Sequence, residues 1–300
     1  MADAFKTAVI GLGSMGYGIA QSCLRAGIQT HGFDAIPAQI ERFLAEGGAE
    51  GDLYQIAGSL DAVLVVVLNA AQTEEVLFGE KGLLPHLKPG AVVIACATVP
   101  PGFARDMETR CKQRGVHYLD APISGGAIKA ASGQLSVMAA GTLDAFSAAK
   151  PALDAMAETV FELGPQAGPG SAMKAVNQLL AGVHIATMAE ALTFGMTQGV
   201  SPEQFLSVIS KCAGTSWMLE NRAPHILDGD YTPRSQVNIW PKDLGIVLQS
   251  AQDAGFNAPI TETALSRFKA AADAGLGQED DAAVAKIYAQ EAGLQLPEGR

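Results

Sequence analysis

The stretch AVIGLGSMGYGIA, residues 8–20, constrains the fold more than any other. Gly11, Gly13 and Gly16 stand in the spacing G-x-G-x-x-G, directly after an apolar β-rich run and at the opening of an amphipathic helical pattern. In a strand–turn–helix unit each glycine has a use. The first permits a tight turn, the second lets backbone approach a pyrophosphate, and the third allows close packing of helix on strand, with phosphate at the helix N-terminus. The chain has 33 glycines, so the spacing alone is weak and a ligand-free glycine turn is its rival. The strand before it and the helix after it favour a dinucleotide.

The surrounding pattern agrees. Residues 7–10, 28–33, 62–68, 91–97 and 116–119 read as short strands, and 16–25 and 37–46 as helices between them. Val65, Val66 and Val67 run consecutively, as in a parallel strand buried on both faces. Such βαβα alternation specifies an α/β fold with a doubly wound, Rossmann-type parallel sheet, which 134–139 and 159–163 are expected to extend. After GPQAGPG, residues 164–170, apolar residues recur only at helical spacing. The expected organisation is a nucleotide-binding domain over 1–165 and an all-helical domain over 166–300 for substrate and oligomerisation.

Hydrophobic residues make up 48% of the chain and charged ones 17%, which suits a packed, oligomeric protein, a homodimer or homotetramer. The net charge of −11 comes with no basic run, which argues against a nucleic-acid partner. It also repels small anions at long range, so a site for one must be locally positive. Cys23, Cys96, Cys111 and Cys212 form no C-x-x-C pair, as in a reducing compartment. No metal-ligand spacing links His31, His86, His117, His184 and His225. The N-terminus lacks a signal-peptide pattern, and the charge-free run 175–189 is too short to span a bilayer. A cytoplasmic protein without a membrane partner is expected.

Candidate site residues gather at strand ends, where ligands of open parallel sheets bind. Asp34 closes the second strand about twenty residues beyond Gly11, as a carboxylate accepting from ribose hydroxyls does. Its charge repels a 2′-phosphate, and Ala35, Ile36 and Pro37 offer no arginine, so NAD is expected over NADP. Leu68-Asn69 and Ala97-Thr98-Val99 end two further strands and are also readable as plain turns. In DAPISGG, residues 120–126, Ser124, Gly125 and Gly126 offer a hydroxyl and two unobstructed N–H groups, a nest for a carboxylate or simply a turn.

In GPGSAMKAVNQLL, Lys174, Asn177 and Gln178 share one helix face while Met173, Val176, Leu179 and Leu180 call for burial. With Ser171 read as the cap, Lys174 stands in the first turn, where the helix dipole disfavours a cation. Lys242 repeats this after Pro241, read as a first helical residue. An anionic ligand nearby reverses the penalty; a pairing of Lys242 with Asp243 is the alternative.

GLGSMG, DAPISGG, GPGSAMKAVN and PKDL, in this order, resemble the β-hydroxyacid dehydrogenase family, which includes 3-hydroxyisobutyrate dehydrogenase and tartronate semialdehyde reductase. NQLLAGVHIA, SWMLENR and DGDYTPRS look most like its branch acting on four-carbon sugar acids. The resemblance implies NAD-dependent oxidation of a hydroxyl on a small anionic hydroxy acid, with L-threonate expected. Alternatives are 3-hydroxyisobutyrate oxidation, semialdehyde reduction, or NAD binding without catalysis. By position, Lys174 matches the catalytic acid/base, Asn177 a substrate ligand, and Ser124, Gly125 and Gly126 the carboxylate loop. Gly11, Leu12, Gly13, Ser14, Met15, Asp34, Leu68, Asn69, Thr98 and Lys242 match cofactor contacts. Gln178 stands where many relatives carry a second asparagine.

Overall fold

The structure, a computed structural model, describes residues 4–299. The chain divides into two compact units, Met1–Lys174 and Ala175–Arg300. In the first, strands and helices alternate as β1 (Lys6–Ile10), α1 (Ser14–Arg25), β2 (Gln29–Phe33), α2 (Pro37–Ala45), α3 (Leu53–Ile56), β3 (Ala62–Val65), α4 (Ala70–Phe78), β4 (Val92–Ala95), α5 (Pro101–Lys112) and β5 (His117–Asp120). The five strands pair in parallel in the order β2-β1-β3-β4-β5, the expected doubly wound sheet. The chain reverses its direction of growth between β1 and β3, and Ile10 lies opposite Phe33 on one side and Val65 on the other.

Successive strand residues point to opposite faces, and both faces are covered. Ala8, Ile10, Val63, Val65 and Val93 enter one core with Leu77 and Met107. Val9, Leu64, Ile94 and Leu119 enter the other with Leu12 and Ile19. This accounts for unbroken apolar runs where a one-sided sheet would alternate. The third run overreached, however: the ladder ends at Val65, and Leu68 is 62% exposed. Asn69 there caps α4, its Oδ1 accepting from the Gln72 N–H at 2.9 Å, which ends the extended backbone.

The two later runs do not extend the parallel sheet. They form a second one with β6 (Ile123–Ser124), in the order β6-β7-β8, where β7 is Leu135–Ala139 and β8 is Ala157–Glu162. Between them lie α6 (Gly126–Ser132) and α7 (Leu143–Met156). β6 pairs antiparallel with β7, and one antiparallel bridge, Asp120 to Ala140, is what joins β7 to the end of β5. Pro122 supplies the reason: it has no N–H to donate, and the chain turns away after Asp120.

The second unit is helical. The 29-residue α8 (Pro169–Thr197) leads into it, followed by α9 (Pro202–Ile209), α10 (Trp217–Asp228), α11 (Ile239–Asp253), α12 (Pro259–Ala271) and α13 (Val284–Glu291). Ile185, Leu192, Leu219, Ile226, Leu244 and Phe268 form its core, with Trp240 stacked on Phe268 at 5.4 Å between ring centroids. α8 extends well beyond the charge-free run and, by length and composition alone, is long and apolar enough to cross a membrane. It nevertheless carries Lys174, Asn177, Gln178 and Glu190, and buries Ile185, Met188 and Leu192 in that core.

This core contains paired charges. Arg222 Nε donates to Asp281 Oδ1 at 2.5 Å, and Trp240 Nε1 to Asp281 Oδ2 at 3.0 Å. His225 Nδ1 lies 2.8 Å from Asp280 Oδ1, so this histidine anchors a buried carboxylate. Burial pushes the Asp281 carboxyl above its ordinary range, and the Arg222 guanidinium pulls it back in part. Removing one member of such a pair leaves an uncompensated buried charge. Arg222→Ala is therefore expected to destabilise this unit by about 3–5 kcal/mol. Both tryptophans, Trp217 and Trp240, lie here, so urea unfolding followed by their fluorescence reads this unit; a loss below about 1 kcal/mol would contradict the pairing.

Candidate active site

The parallel ladder brings the ends of five strands to one edge in the order Asp34, Gly11, Val66, Cys96, Ala121. Gly11 turns with φ +95°, and a Cβ on it would strike the Val66 carbonyl oxygen. One on Gly16 would strike the Gly11 carbonyl oxygen, while one on Gly13 meets nothing within 4 Å. The first and third glycines thus close the turn and the second leaves an open face. Gly13 is the N-cap of α1 with no side-chain cap, and no acid occupies the first turn. The helix end at Ser14 and Met15 therefore keeps its positive partial charge for an anion. A cavity of about 310 Å³ opens beside it, lined by Leu12, Gly13, Ser14, Tyr17, Gln39 and Arg42 among others. This donor set fits the pyrophosphate of a dinucleotide.

Asp34 does more than face a ribose. Its Oδ2 accepts from the Leu12 N–H at 2.6 Å and its Oδ1 from the Ile36 N–H at 2.8 Å, so it pins the glycine turn to the end of β2. Two further lone-pair positions remain on a carboxylate. Arg42 has no signal in the sequence because it lies a full helical turn and more beyond Pro37; its guanidinium stacks 4.0 Å over Tyr17 and faces Glu46. Asn69 and Thr98 stand in the loops after β3 and β4, on the same edge. Asn69 has the capping duty described above.

Beyond β5, Gly125 and Gly126 take φ of +135° and +76°, and Ser124 beside them is half-buried. Consecutive glycines at positive φ, with no side-chain cap at the start of α6, suit an anion nest. Lys174 comes to the same segment: its Nζ donates to the Ile123 carbonyl at 2.9 Å. Ser171 is not the cap expected of it. α8 starts at Pro169, and the Ser171 hydroxyl donates to Asp120 Oδ1 at 2.6 Å. Asp120 Oδ2 accepts from the N–H groups of Gly168 and Ser171 at 2.8 and 2.9 Å. The helix start is thus capped from outside by a buried carboxylate, and Lys174 falls in the second turn. Burial pushes the Asp120 carboxyl up, and the hydrogen bonds from Ser171 and Gly168 offset this in part.

The other two predicted residues, Asn177 and Lys242, lie in the helical unit. Asn177 Nδ2 donates to Gln178 Oε1 at 2.9 Å, and Gln178 Nε2 donates to Asp243 Oδ2. Lys242 Nζ lies 2.5 Å from Asp243 Oδ1, the pairing foreseen as the alternative. α11 begins at Ile239, two residues before Pro241, so Lys242 is its fourth residue rather than its second. Met173, Val176 and Leu180, expected to be buried, are 45%, 54% and 49% exposed. Asp120 is the site-bearing residue to which the sequence assigns no role. A lone strand-end Asp followed by Ala-Pro carries no signal of its own.

Residues 6–164 match the family model described as the NAD binding domain of 6-phosphogluconate dehydrogenase. Residues 168–288 match the one described as NAD-binding of NADP-dependent 3-hydroxyisobutyrate dehydrogenase. The chain belongs to the β-hydroxyacid dehydrogenase family. It is an NAD(P)-dependent dehydrogenase of hydroxy acids, with NAD favoured. It is 49% identical to the L-threonate dehydrogenase of Cupriavidus necator over 96% of this chain and 97% of that one. With the L-threonate dehydrogenase of Escherichia coli K12 it shares 45% over 98% and 97%. A crystal structure of a Salmonella typhimurium protein described as 3-hydroxyisobutyrate dehydrogenase is 45% identical, with a TM-score of 0.89 over 94% of this chain and 99% of that one.

The glycines separate fold from binding in this dehydrogenase. Gly13→Val places its Cβ in open space, and is expected to lower the unfolding midpoint less than Gly11→Ala does while weakening NADH at least about tenfold, or 1.4 kcal/mol. Gly11→Ala forces a left-handed, colliding Cβ and is expected to cost about 1–3 kcal/mol of stability. Fluorescence titration with NADH and thermal unfolding of both variants check the contrast.

Proposed function

We propose that this dehydrogenase oxidises L-threonate to 2-dehydro-L-erythronate with NAD. The observation that carries this reading is the near-full-length similarity to two L-threonate dehydrogenases, at 49% and 45% identity. The geometry of the N-terminal unit supports the chemistry. Ser124, Gly125 and Gly126 receive the substrate carboxylate, with a hydroxyl and two backbone N–H donors. Lys174, docked on the same segment, accepts the hydroxyl proton as a neutral amine while the C–H hydride departs, and the ammonium so formed offsets the negative charge developing on oxygen. The nicotinamide, when bound, supplies the hydride acceptor. Asn177, one turn further along α8, offers the same substrate an amide that does not titrate.

Gly11, Leu12, Gly13, Ser14 and Met15 hold the pyrophosphate, Asp34 the adenosine ribose, and Leu68, Asn69 and Thr98 line the nucleotide along the sheet edge. Lys242 is assigned to the cofactor by position, its ammonium meanwhile neutralised by Asp243. A second reading, 3-hydroxyisobutyrate oxidation, is favoured by the similarity to the Salmonella typhimurium crystal structure. Turnover of L-threonate, 3-hydroxyisobutyrate and glycerate with NAD, followed by NADH absorbance, separates the two; L-threonate is expected to give the highest kcat/KM. Lys174→Ala is expected to lower kcat by about 10²–10⁴-fold with NADH affinity kept within twofold. An unchanged rate would remove the role given to Lys174.

The protein is assigned to the cytoplasm, with no nucleic-acid or membrane partner, as a homodimer or homotetramer. Supporting the assembly, Met173, Val176, Leu180 and Phe194 form an exposed apolar row along α8, larger than isolated surface residues explain. Light scattering is expected to give a mass of at least two chains; a single-chain mass would overturn this assignment.

A further inference from the structure

Two contacts tie the start of α8 to the DAPISGG segment, and they keep one register. Asp120 meets Ser171 and Ile123 meets Lys174, three residues further on in both. On a helix three residues make nearly a turn, so Ser171 and Lys174 lie on one face. Asp120 is itself immobilised: its N–H donates to Ala140 O at 3.0 Å and its carbonyl accepts from Ala140 N at 2.9 Å. Its side chain is 1% exposed and takes three hydrogen bonds from the first turn of α8 and the residue before it. Gly170 seals the joint, since a Cβ there would lie 2.6 Å from the Asp120 carbonyl oxygen and 2.5 Å from that of Met138. The carboxylate also supplies negative charge at the positive helix end, where the dipole favours it.

We propose that Asp120 is the positioning residue for Lys174, fixing the rotation and height of the start of α8 at which the Lys174 side-chain nitrogen meets the DAPISGG segment. Slipping the helix by one residue would turn Lys174 by about 100° about the axis, away from Ile123 and from Ser124 beyond it. Asp120 touches neither substrate nor cofactor in this scheme and acts through Lys174. The inference rests on the proton-transfer role proposed for Lys174.

Two variants of the full chain test it. Ser171→Ala deletes one of the three hydrogen bonds and leaves both backbone ones; Asp120→Asn replaces the oxygen pair by one oxygen and a donor. The expected kcat losses are about fivefold for Ser171→Ala and about 10- to 100-fold for Asp120→Asn. NADH affinity is expected to stay within twofold in both. A second readout does not depend on catalysis: acetylation of Lys174 by acetic anhydride, measured by peptide mass against the exposed Lys150. Lys174 is expected to react several-fold faster in Asp120→Asn, with Lys150 unchanged.

Wild-type kcat in the folded Asp120→Asn variant would overturn the proposal. So would a loss of kcat with unaltered Lys174 reactivity, which marks a general structural role. Should Asp120→Asn fail to fold, Ser171→Ala decides alone, and wild-type kcat and reactivity there overturn it equally. Failure of the proton-transfer reading shows elsewhere, as undiminished turnover in Lys174→Ala.

Discussion

Parallel hydrogen bonding of five strands leaves all their carboxyl ends on one edge, and the N-terminal unit is organised by that constraint. Each loop that leaves the edge must either turn tightly into a helix or run on across the top. Gly11 makes one of these turns, so close to Val66 that only the absence of a Cβ permits it. The same close approach turns the positive end of α1 toward open space at Gly13. Binding capacity at this edge is thus a by-product of how the sheet closes its first crossover, and Asp34 holds that crossover by its hydrogen bond to Leu12.

The charge distribution follows a second rule. In a chain of net charge −11, cations useful for holding an anionic substrate must be retained at particular places. Lys174 donates to a backbone carbonyl of the DAPISGG segment. Lys242 is matched by Asp243, whose other oxygen takes the Gln178 amide. The acid that lies at the start of α8, Asp120, is occupied by backbone N–H groups and a hydroxyl.

Much of this was legible in the chain, and the reasons for the gaps are physical. The glycine spacing, the apolar runs and the Gly/Pro cluster report local backbone geometry, so the strand–helix alternation and the helical second half followed from them. Strand ends did not: Val66 and Val67 are as apolar as Val65, yet the ladder stops at Val65, ahead of the Asn69 cap. The second small sheet depends on pairing between segments far apart, which periodicity does not encode. Ser171 looked like a cap because its local context is that of one, yet a carboxylate fifty-one residues upstream claims its hydroxyl. Long-range polar contacts of this kind leave no periodic trace, and the family resemblance reached Lys174 and Ser124 without revealing what holds them in place.

Asp34 has a consequence for anyone wishing to redesign coenzyme choice. Replacing an acidic discriminator by a small neutral residue is the obvious way to admit a phosphorylated ribose. Here the same carboxylate also carries the Leu12 and Ile36 amides, so its removal would slacken the loop on which both coenzymes depend. A switch of preference would need a substitute acceptor for those two amides before any new group placed against the phosphate could improve affinity.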